Sequence, residues 1–177
     1  IGISKIDDEA KIVTDSNGIE HTFDLLIMAT GSRAFVPSDV QINLPGRFTM
    51  RERGDADSLK KYLNETGLPN EEQHVVIVGG GLLGLELAAA LKKINVNISI
   101  NLYFDNEVST VFEEKTSNHT ILVNLKTGRT IKCNAIVYAI GTRPNIELAK
   151  QTKLKTRRGV VVNSYLQTSN PAIFALG

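Results

Sequence analysis

Apolar positions in this chain fall mainly into short dense runs. Leu25–Ala29 and Ala135–Ile140 are almost wholly apolar, a pattern that predicts strands buried on both faces of a layered α/β domain. His74–Val78 is a shorter β-branched run, and Val96–Ile100 reads as a second strand beyond it. Between them Leu85–Leu91 is built of strong helix formers and predicts a helix. Asp57 stands where it would cap another helix over Ser58–Asn64, with Leu59 and Leu63 on one face. Gly67, Leu68 and Pro69 would end that helix, while Pro37, Pro45 and Gly46 make Ala34–Arg47 a connection.

The same pattern recurs at an offset of 110 residues. Gly18 pairs with Gly128, Ala29 with Ala139, Gly31 with Gly141 and Arg33 with Arg143, and Val13 and Val123 keep the register. In each copy an alternating strand reaches a glycine turn, a second strand follows, and an apolar strand ends at glycine. The repeat predicts two related domains, one represented by its C-terminal part. A weaker third echo, NPAIFALG at Asn170–Gly177, is another strand running toward a glycine.

Val75–Leu91 reads VVIVGGGLLGLELAAAL, a strand, a glycine turn and a helix. Gly79, Gly81 and Gly84 have the GxGxxG spacing, with Gly80 inside it. In such a turn the first glycine permits a sharp exit from the strand. The second lets the backbone approach a pyrophosphate, and the third lets helix and sheet pack closely. The helix N-terminus then offers unpaired N–H groups and a positive dipole end to phosphate. A strand before the turn and a helix after it are the context that identifies a dinucleotide site. An acid about 20 residues beyond the turn would select NAD. Asp105 is the first acid after the second strand and stands a little late, so NAD and NADP remain equally open. No second crossover helix is visible after Ile100, which predicts that the chain lacks a segment there.

Composition narrows the function class. Of 177 residues, 42% are hydrophobic and 22% charged, and the net charge is +1 with signs interspersed, so no basic stripe marks a nucleic-acid partner. Lys153, Lys155, Arg157 and Arg158 read as a solvated turn. The three histidines are scattered without metal spacing, and no metal site is expected. Cys133 is the only cysteine; it permits neither an intrachain disulfide nor a CxxC pair and reads as a packing residue. Four glycines and Glu86 make Val75–Leu91 a poor membrane span, so no membrane partner and a cytoplasmic location are expected.

Four stretches together resemble the FAD-dependent pyridine nucleotide–disulfide oxidoreductase superfamily: FDLLIMATGS at Phe23–Ser32, GGGLLGLE at Gly79–Glu86, AIGTRPN at Ala139–Asn145 and AIFALG at Ala172–Gly177. Leu82 and Leu83 stand where many members carry an aromatic residue, and that variant looks most like the large subunit of NAD(P)H-dependent nitrite reductases. Two leucines there would also serve as core residues of the first helical turn. The resemblance implies a Rossmann-like FAD/NAD(P)-binding fold with a parallel central sheet and an inserted antiparallel β-meander, plus part of a second related domain. It divides the chain into 1–47 as the C-terminal part of a flavin domain, 48–72 as a linker with a short helix, 73–145 as the nicotinamide domain, and 146–177 as a return toward the flavin domain.

The activity implied is hydride transfer from NAD(P)H to FAD, with FAD held by the full-length protein. Gly79, Gly80, Gly81, Leu82, Leu83 and Gly84 would form the nicotinamide dinucleotide site, with Glu86 near the carboxamide and Leu82 in place of an aromatic lid. Glu86 also reads as a first-turn surface acid favoured by the helix dipole. Gly141 would let its strand end approach the cofactor, and Thr30 and Gly31 would lie against FAD. Asn134 stands where the first repeat has Asp24, and Cys133 matches no catalytic cysteine of the family. The chain would be the central fragment of an enzyme whose remaining parts supply the electron acceptor and any dimer contacts. NADH oxidases and ferredoxin or rubredoxin reductases are the alternative enzymes. A non-catalytic nucleotide-sensing module is the alternative from another class. A self-contained dehydrogenase is disfavoured, since no Tyr-x-x-x-Lys or histidine proton relay is present.

Overall fold

The computed structural model describes residues 2–37, 40–94, 107–114 and 119–177. The predicted strand Val96–Ile100, Asp105 and the segment expected to be lacking after Ile100 lie outside the described residues. In chain order come β1 (Ile3–Asp7), β2 (Ile12–Asp15), β3 (Glu20–Thr22), β4 (Leu26–Met28), β5 (Ser32–Ala34) and β6 (Arg47–Thr49). Then follow α1 (Arg53–Glu65), β7 (Val75–Val78), α2 (Leu82–Lys93), β8 (Val108–Glu113), β9 (Ile121–Leu125), β10 (Thr130–Cys133) and β11 (Ala135–Tyr138). β12 (Thr142–Pro144), α3 (Glu147–Lys150) and β13 (Ile173–Ala175) close the chain. Two compact units result: Ile1–Arg33 with Thr142–Gly177, and Ala34–Gly141.

In the second unit β6, β11 and β7 form a parallel sheet with β11 in the middle. Strand side chains alternate between faces, and β11 uses both. Ala135 and Val137 pack with Leu59 and Leu63 of α1 and Leu87 and Leu91 of α2. Ile136 and Tyr138 pack with Ile121, Val123 and Leu125 of the antiparallel meander β8–β9–β10. Helices on one side and a meander on the other explain why the apolar run at 135–138 has no polar face; all four residues are buried. The architecture is the expected α/β Rossmann-like one with an inserted meander.

Segment 34–72 belongs to this unit because β6 pairs with β11 and α1 sits on its core. It is thus more than a linker. The helix is longer than predicted, and Asp57 does not cap it. Asp55 takes that part: its carboxylate accepts the N–H groups of Arg51 and Glu52 at 2.7 and 3.2 Å, while Asp57 lies one turn inside, 3.7 Å from Arg53. The nearer acid wins because an N3 carboxylate reaches back to the N-cap N–H.

Asn134 joins strand to strand. Its Oδ1 accepts the His74 N–H at 2.8 Å, its own N–H donates to the His74 carbonyl at 2.7 Å, and its Nδ2 donates to the His119 carbonyl at 3.1 Å. An aspartate could not supply the last of these.

The first unit repeats the pattern. β1–β2–β3 is an antiparallel meander and β4 pairs in parallel with β13. β3, β4 and β5 stand at the 110-residue offset from β10, β11 and β12. Gly18 and Gly128 adopt nearly the same left-handed φ, 82° and 84°, in the matching hairpins. One expectation fails here. The run Leu25–Ala29 is not buried on both faces: Leu25 is 66% and Ile27 63% exposed, because β4 has a strand on one side only among the described residues. The core of this unit forms around Met28, Ile173, Ala175, Ile6, Ala149 and Leu154.

Asp15, buried at the end of β2, closes the first hairpin by accepting the N–H groups of Asn17 and Ile19 at 2.8 and 3.0 Å, with His21 at 3.3 Å. The Ile19 N–H, then His21 and the Asn17 N–H, hold this carboxyl below its ordinary value against the opposing effect of burial. A depressed folded value adds stability above the unfolded pKa of about 3.9 and loses it as pH falls through the folded value. Asp15→Asn keeps an acceptor without a charge, so its acid unfolding curve, followed by circular dichroism, should depend less on pH below about 4. An unchanged acid limb would assign the transition to other groups.

Candidate functional site

The candidate dinucleotide site lies at the end of β7. Gly79 leaves the strand at φ +119°, and a Cβ there would stand 2.4 Å from the Ala139 carbonyl oxygen at the end of neighbouring β11. Gly84 lies in the first turn of α2, and a Cβ on it would stand 2.1 Å from the Gly79 carbonyl oxygen. Both glycines are therefore required by the protein's own packing. Gly80 and Gly81 are not: a Cβ on either meets nothing within 4 Å. Gly81 is the N-cap of α2 in extended backbone (φ −75°, ψ 179°), which any residue adopts. The missing side chain at 81 leaves open space beside a helix N-terminus.

That terminus carries no side-chain cap and no acid in its first turn. The first N–H groups of a helix have no partner within it, and Leu85 is the first to bond back, to Gly81 O at 3.1 Å. Lys92 and Lys93 occupy the last turn, where cations offset the negative dipole end. An open, uncapped N-terminus with a bare approach is the donor set a pyrophosphate needs; the residues present fit a dinucleotide.

Leu82 and Leu83 are not the core residues their sequence position allowed. Leu82 is 76% exposed, Leu83 39% and Leu85 53%; the buried stripe of α2 is Gly84, Leu87, Ala88 and Leu91. Glu86 is exposed and falls in the second turn, where the dipole argument for a surface acid fades. It has no hydrogen-bond or ion-pair partner among the described residues. Gly141, at φ +97° with nothing within 4 Å of a Cβ, ends the stretch after β11.

In the first unit Thr30 and Gly31 form the turn after β4, with Gly31 at φ +61°. Asn145, at the end of β12, holds this turn. Its N–H donates to the Gly31 carbonyl at 2.9 Å and its Nδ2 to the Thr30 carbonyl at 2.8 Å, while Thr30 Oγ1 donates to the Asn145 carbonyl at 2.7 Å. Arg33 donates to Asn145 Oδ1 at 3.0 Å and pairs with Glu147 at 2.8 Å. The backbone N–H of Glu147, and then Arg33, hold the Glu147 carboxyl below its usual value. Sequence reasoning did not single out Asn145, Arg33 or Glu147 as site residues.

Two other features stand apart. A cavity of about 310 Å³ between Ile42–Phe48 and α1, bordered by Ser58, Lys61 and Tyr62, contains none of the predicted residues. Cys133 is buried, and burial pushes its thiol up to about 12, so it stays protonated at neutral pH and offers no thiolate. Among the described residues no helix is long and apolar enough to cross a membrane.

Comparison with known proteins gives consistent results. The family model described as pyridine nucleotide-disulphide oxidoreductase matches residues 1–177. The chain is 34% identical over 205 positions to the nitric oxide reductase FlRd-NAD(+) reductase of Shigella dysenteriae serotype 1 (strain Sd197), covering 99% of this chain and 51% of that protein. It is 30% identical over 203 positions to the nitrite reductase (NAD(P)H) large subunit of Klebsiella oxytoca, covering 99% of this chain and 21% of that one. The chain thus spans at most about half the length of these relatives. Alignments of 205 and 203 positions exceed the 177 residues present, so both relatives carry positions this chain lacks. A ferredoxin reductase from Rhodopseudomonas palustris superposes with a TM-score of 0.87 at 23% identity, over 99% of this chain and 48% of that one. A water-forming NADH oxidase from Lactobacillus brevis, bound to NADH, does so with 0.81 at 21%, over 98% and 44%. At these identities the two structures establish the fold.

Proposed function

The chain belongs to the pyridine nucleotide-disulphide oxidoreductase family, and from that premise we propose that it carries the nicotinamide site of an enzyme passing hydride from NAD(P)H to FAD. The observation that carries the reading is the pairing of a bare Gly81 with an uncapped α2 N-terminus, since nothing among the described residues calls for glycine there. Gly79 and Gly84 shape the turn, and the N–H groups at the start of α2 bind the pyrophosphate. Leu82 and Leu83 offer apolar surface to the nicotinamide ring in place of an aromatic lid. Glu86, a carboxylate without a partner among the described residues, accepts the carboxamide N–H. Gly141 keeps its strand end clear of side chain, and Thr30 and Gly31 contact FAD from the first unit.

FAD, when bound, supplies the acceptor for the hydride that leaves the nicotinamide. The protein's part is to bind and orient the dinucleotide; no side chain of this chain is assigned a proton transfer. The names of the relatives point to nitrite or an FlRd component of a nitric oxide reductase as the class of final acceptor, and the Leu82-Leu83 pair favours the nitrite reductase type.

Titration with NADH, followed by its fluorescence, tests the dinucleotide site. Saturable one-to-one binding is expected, and ADP should compete because it shares the pyrophosphate. An absence of binding by both nucleotides would remove the site.

A further inference from the structure

The two repeats make the same backbone contact and then differ. At the shared 110-residue offset, the Asn145 N–H donates to the Gly31 carbonyl and the Phe35 N–H donates to the Gly141 carbonyl, both at 2.9 Å. That bond is common to both glycine turns. In the second unit the side chains at the matching positions are Ile140 and Phe35, an apolar pair. In the first unit they are Thr30 and Asn145, which add two side-chain hydrogen bonds at 2.7 and 2.8 Å. Arg33 then braces the Asn145 amide from outside and is itself fixed by Glu147. The first copy of the duplicated turn is thus held at both of its carbonyls and at its hydroxyl, the side-chain bonds coming from positions where the second copy has apolar side chains.

We propose that Asn145 is a positioning residue for FAD, setting the place and orientation of the Thr30–Gly31 turn through the Thr30 carbonyl and hydroxyl, with Arg33 and Glu147 as its brace. The proposal rests on the reading that this turn touches the flavin. Two physical consequences follow. The Asn145 amide donates to the Thr30 carbonyl, and the Thr30 hydroxyl donates its proton to the Asn145 backbone carbonyl, so Thr30 Oγ1 faces a ligand as an acceptor only. The Gly31 conformation, at φ +61°, is also held by three bonds between Thr30–Gly31 and Asn145, so the turn needs little ordering when a cofactor binds.

The test uses the FAD-loaded enzyme and its apoprotein, with Asn145→Ala, Asn145→Asp and Gly31→Ala compared with the parent. Asn145→Asp keeps the acceptor for Arg33 and loses the donor to Thr30. FAD dissociation constants from flavin fluorescence, the flavin midpoint potential and the NADH dissociation constant are read for each. Loss of one or two net hydrogen bonds predicts FAD binding weaker by about tenfold for both Asn145 variants. A shifted midpoint potential should accompany it, with NADH affinity within about twofold of the parent. A purely structural role would lower the melting temperature but leave the potential of the flavin still bound unmoved, and that result overturns the proposal. If Gly31→Ala weakens FAD while both Asn145 variants bind it normally, the turn is a flavin contact and Asn145 does not position it. If Gly31→Ala, shown folded by circular dichroism, also leaves FAD affinity and potential unchanged, the flavin reading of the turn fails first.

Discussion

Replacing Gly84 by alanine is expected to destabilise the second unit by ~3 kcal/mol or more, the upper end of overpacking costs, because the added Cβ has nowhere to go. Its nearest neighbour is a backbone atom, the Gly79 carbonyl oxygen at 2.1 Å, with its carbon at 3.2 Å and Ile77 Cγ2 at 3.4 Å beyond. A flexible side chain would swing away, but a carbonyl in a turn cannot. Gly79 is itself pinned from the other side, since its own Cβ position lies 2.4 Å from Ala139 O. Relief requires lifting α2 off the sheet, which uncovers Leu87 and Leu91 from the core they share with Val75 and Val137. For a chain of this size the cost corresponds to a melting temperature lower by roughly 6–12 °C. Gly80→Ala is the control: with nothing within 4 Å of its Cβ and no positive φ, it should stay within about 0.5 kcal/mol of the parent. Thermal unfolding of the two variants side by side gives the comparison. Equal melting temperatures would mean that helix and strand are not in the close contact described.

This contact was legible in the sequence because it needs only the spacing of three glycines after a β-branched run. The duplication was legible for a related reason: Gly18, Gly31, Gly128 and Gly141 occupy left-handed backbone at matched positions, and few residues besides glycine do. Helix capping was harder. Asp57 and Asp55 are both acids near a helix start, and only three-dimensional reach decides that Asp55 meets the N–H groups of Arg51 and Glu52. Burial of Leu25 and Ile27 was misjudged because an apolar run shows that a strand can be covered on both faces, not that a neighbour covers it. The Leu82-Leu83 pair misled in the opposite sense. Leu82 and Leu83, two and one positions before Gly84, lie off the buried stripe of Gly84, Leu87, Ala88 and Leu91 and face outward. The Asn145 cluster escaped because its signal is a difference between repeats, Thr30 and Asn145 against Ile140 and Phe35, whereas duplication draws the eye to identities.

Gly81→Ala should separate binding from stability. Two opposing effects act on the fold. Alanine removes conformational freedom from the unfolded chain, which stabilises by about 0.4–1 kcal/mol at a position whose backbone it tolerates, as the extended conformation here does. Alanine is also a poorer N-cap than glycine, a loss of about the same size. The melting temperature is therefore expected to stay within about 2 °C of the parent. Dinucleotide binding has no such compensation. The new methyl group fills the space beside the first N–H groups of α2, and a pyrophosphate displaced from hydrogen-bond distance loses several charge-assisted contacts together. NADH affinity should fall by about 100-fold, equivalent to ~2.7 kcal/mol. ADP should weaken in parallel because it presents the same pyrophosphate, while adenosine, which lacks it, should bind as it does to the parent. Parallel loss of all three ligands would indicate a disturbed helix, and unchanged NADH affinity would mean that the pyrophosphate lies elsewhere. Gly84 and Gly81 thus divide the motif's two duties. The first glycine is required by a carbonyl already present in the protein, and the second, on the proposed reading, by the pyrophosphate.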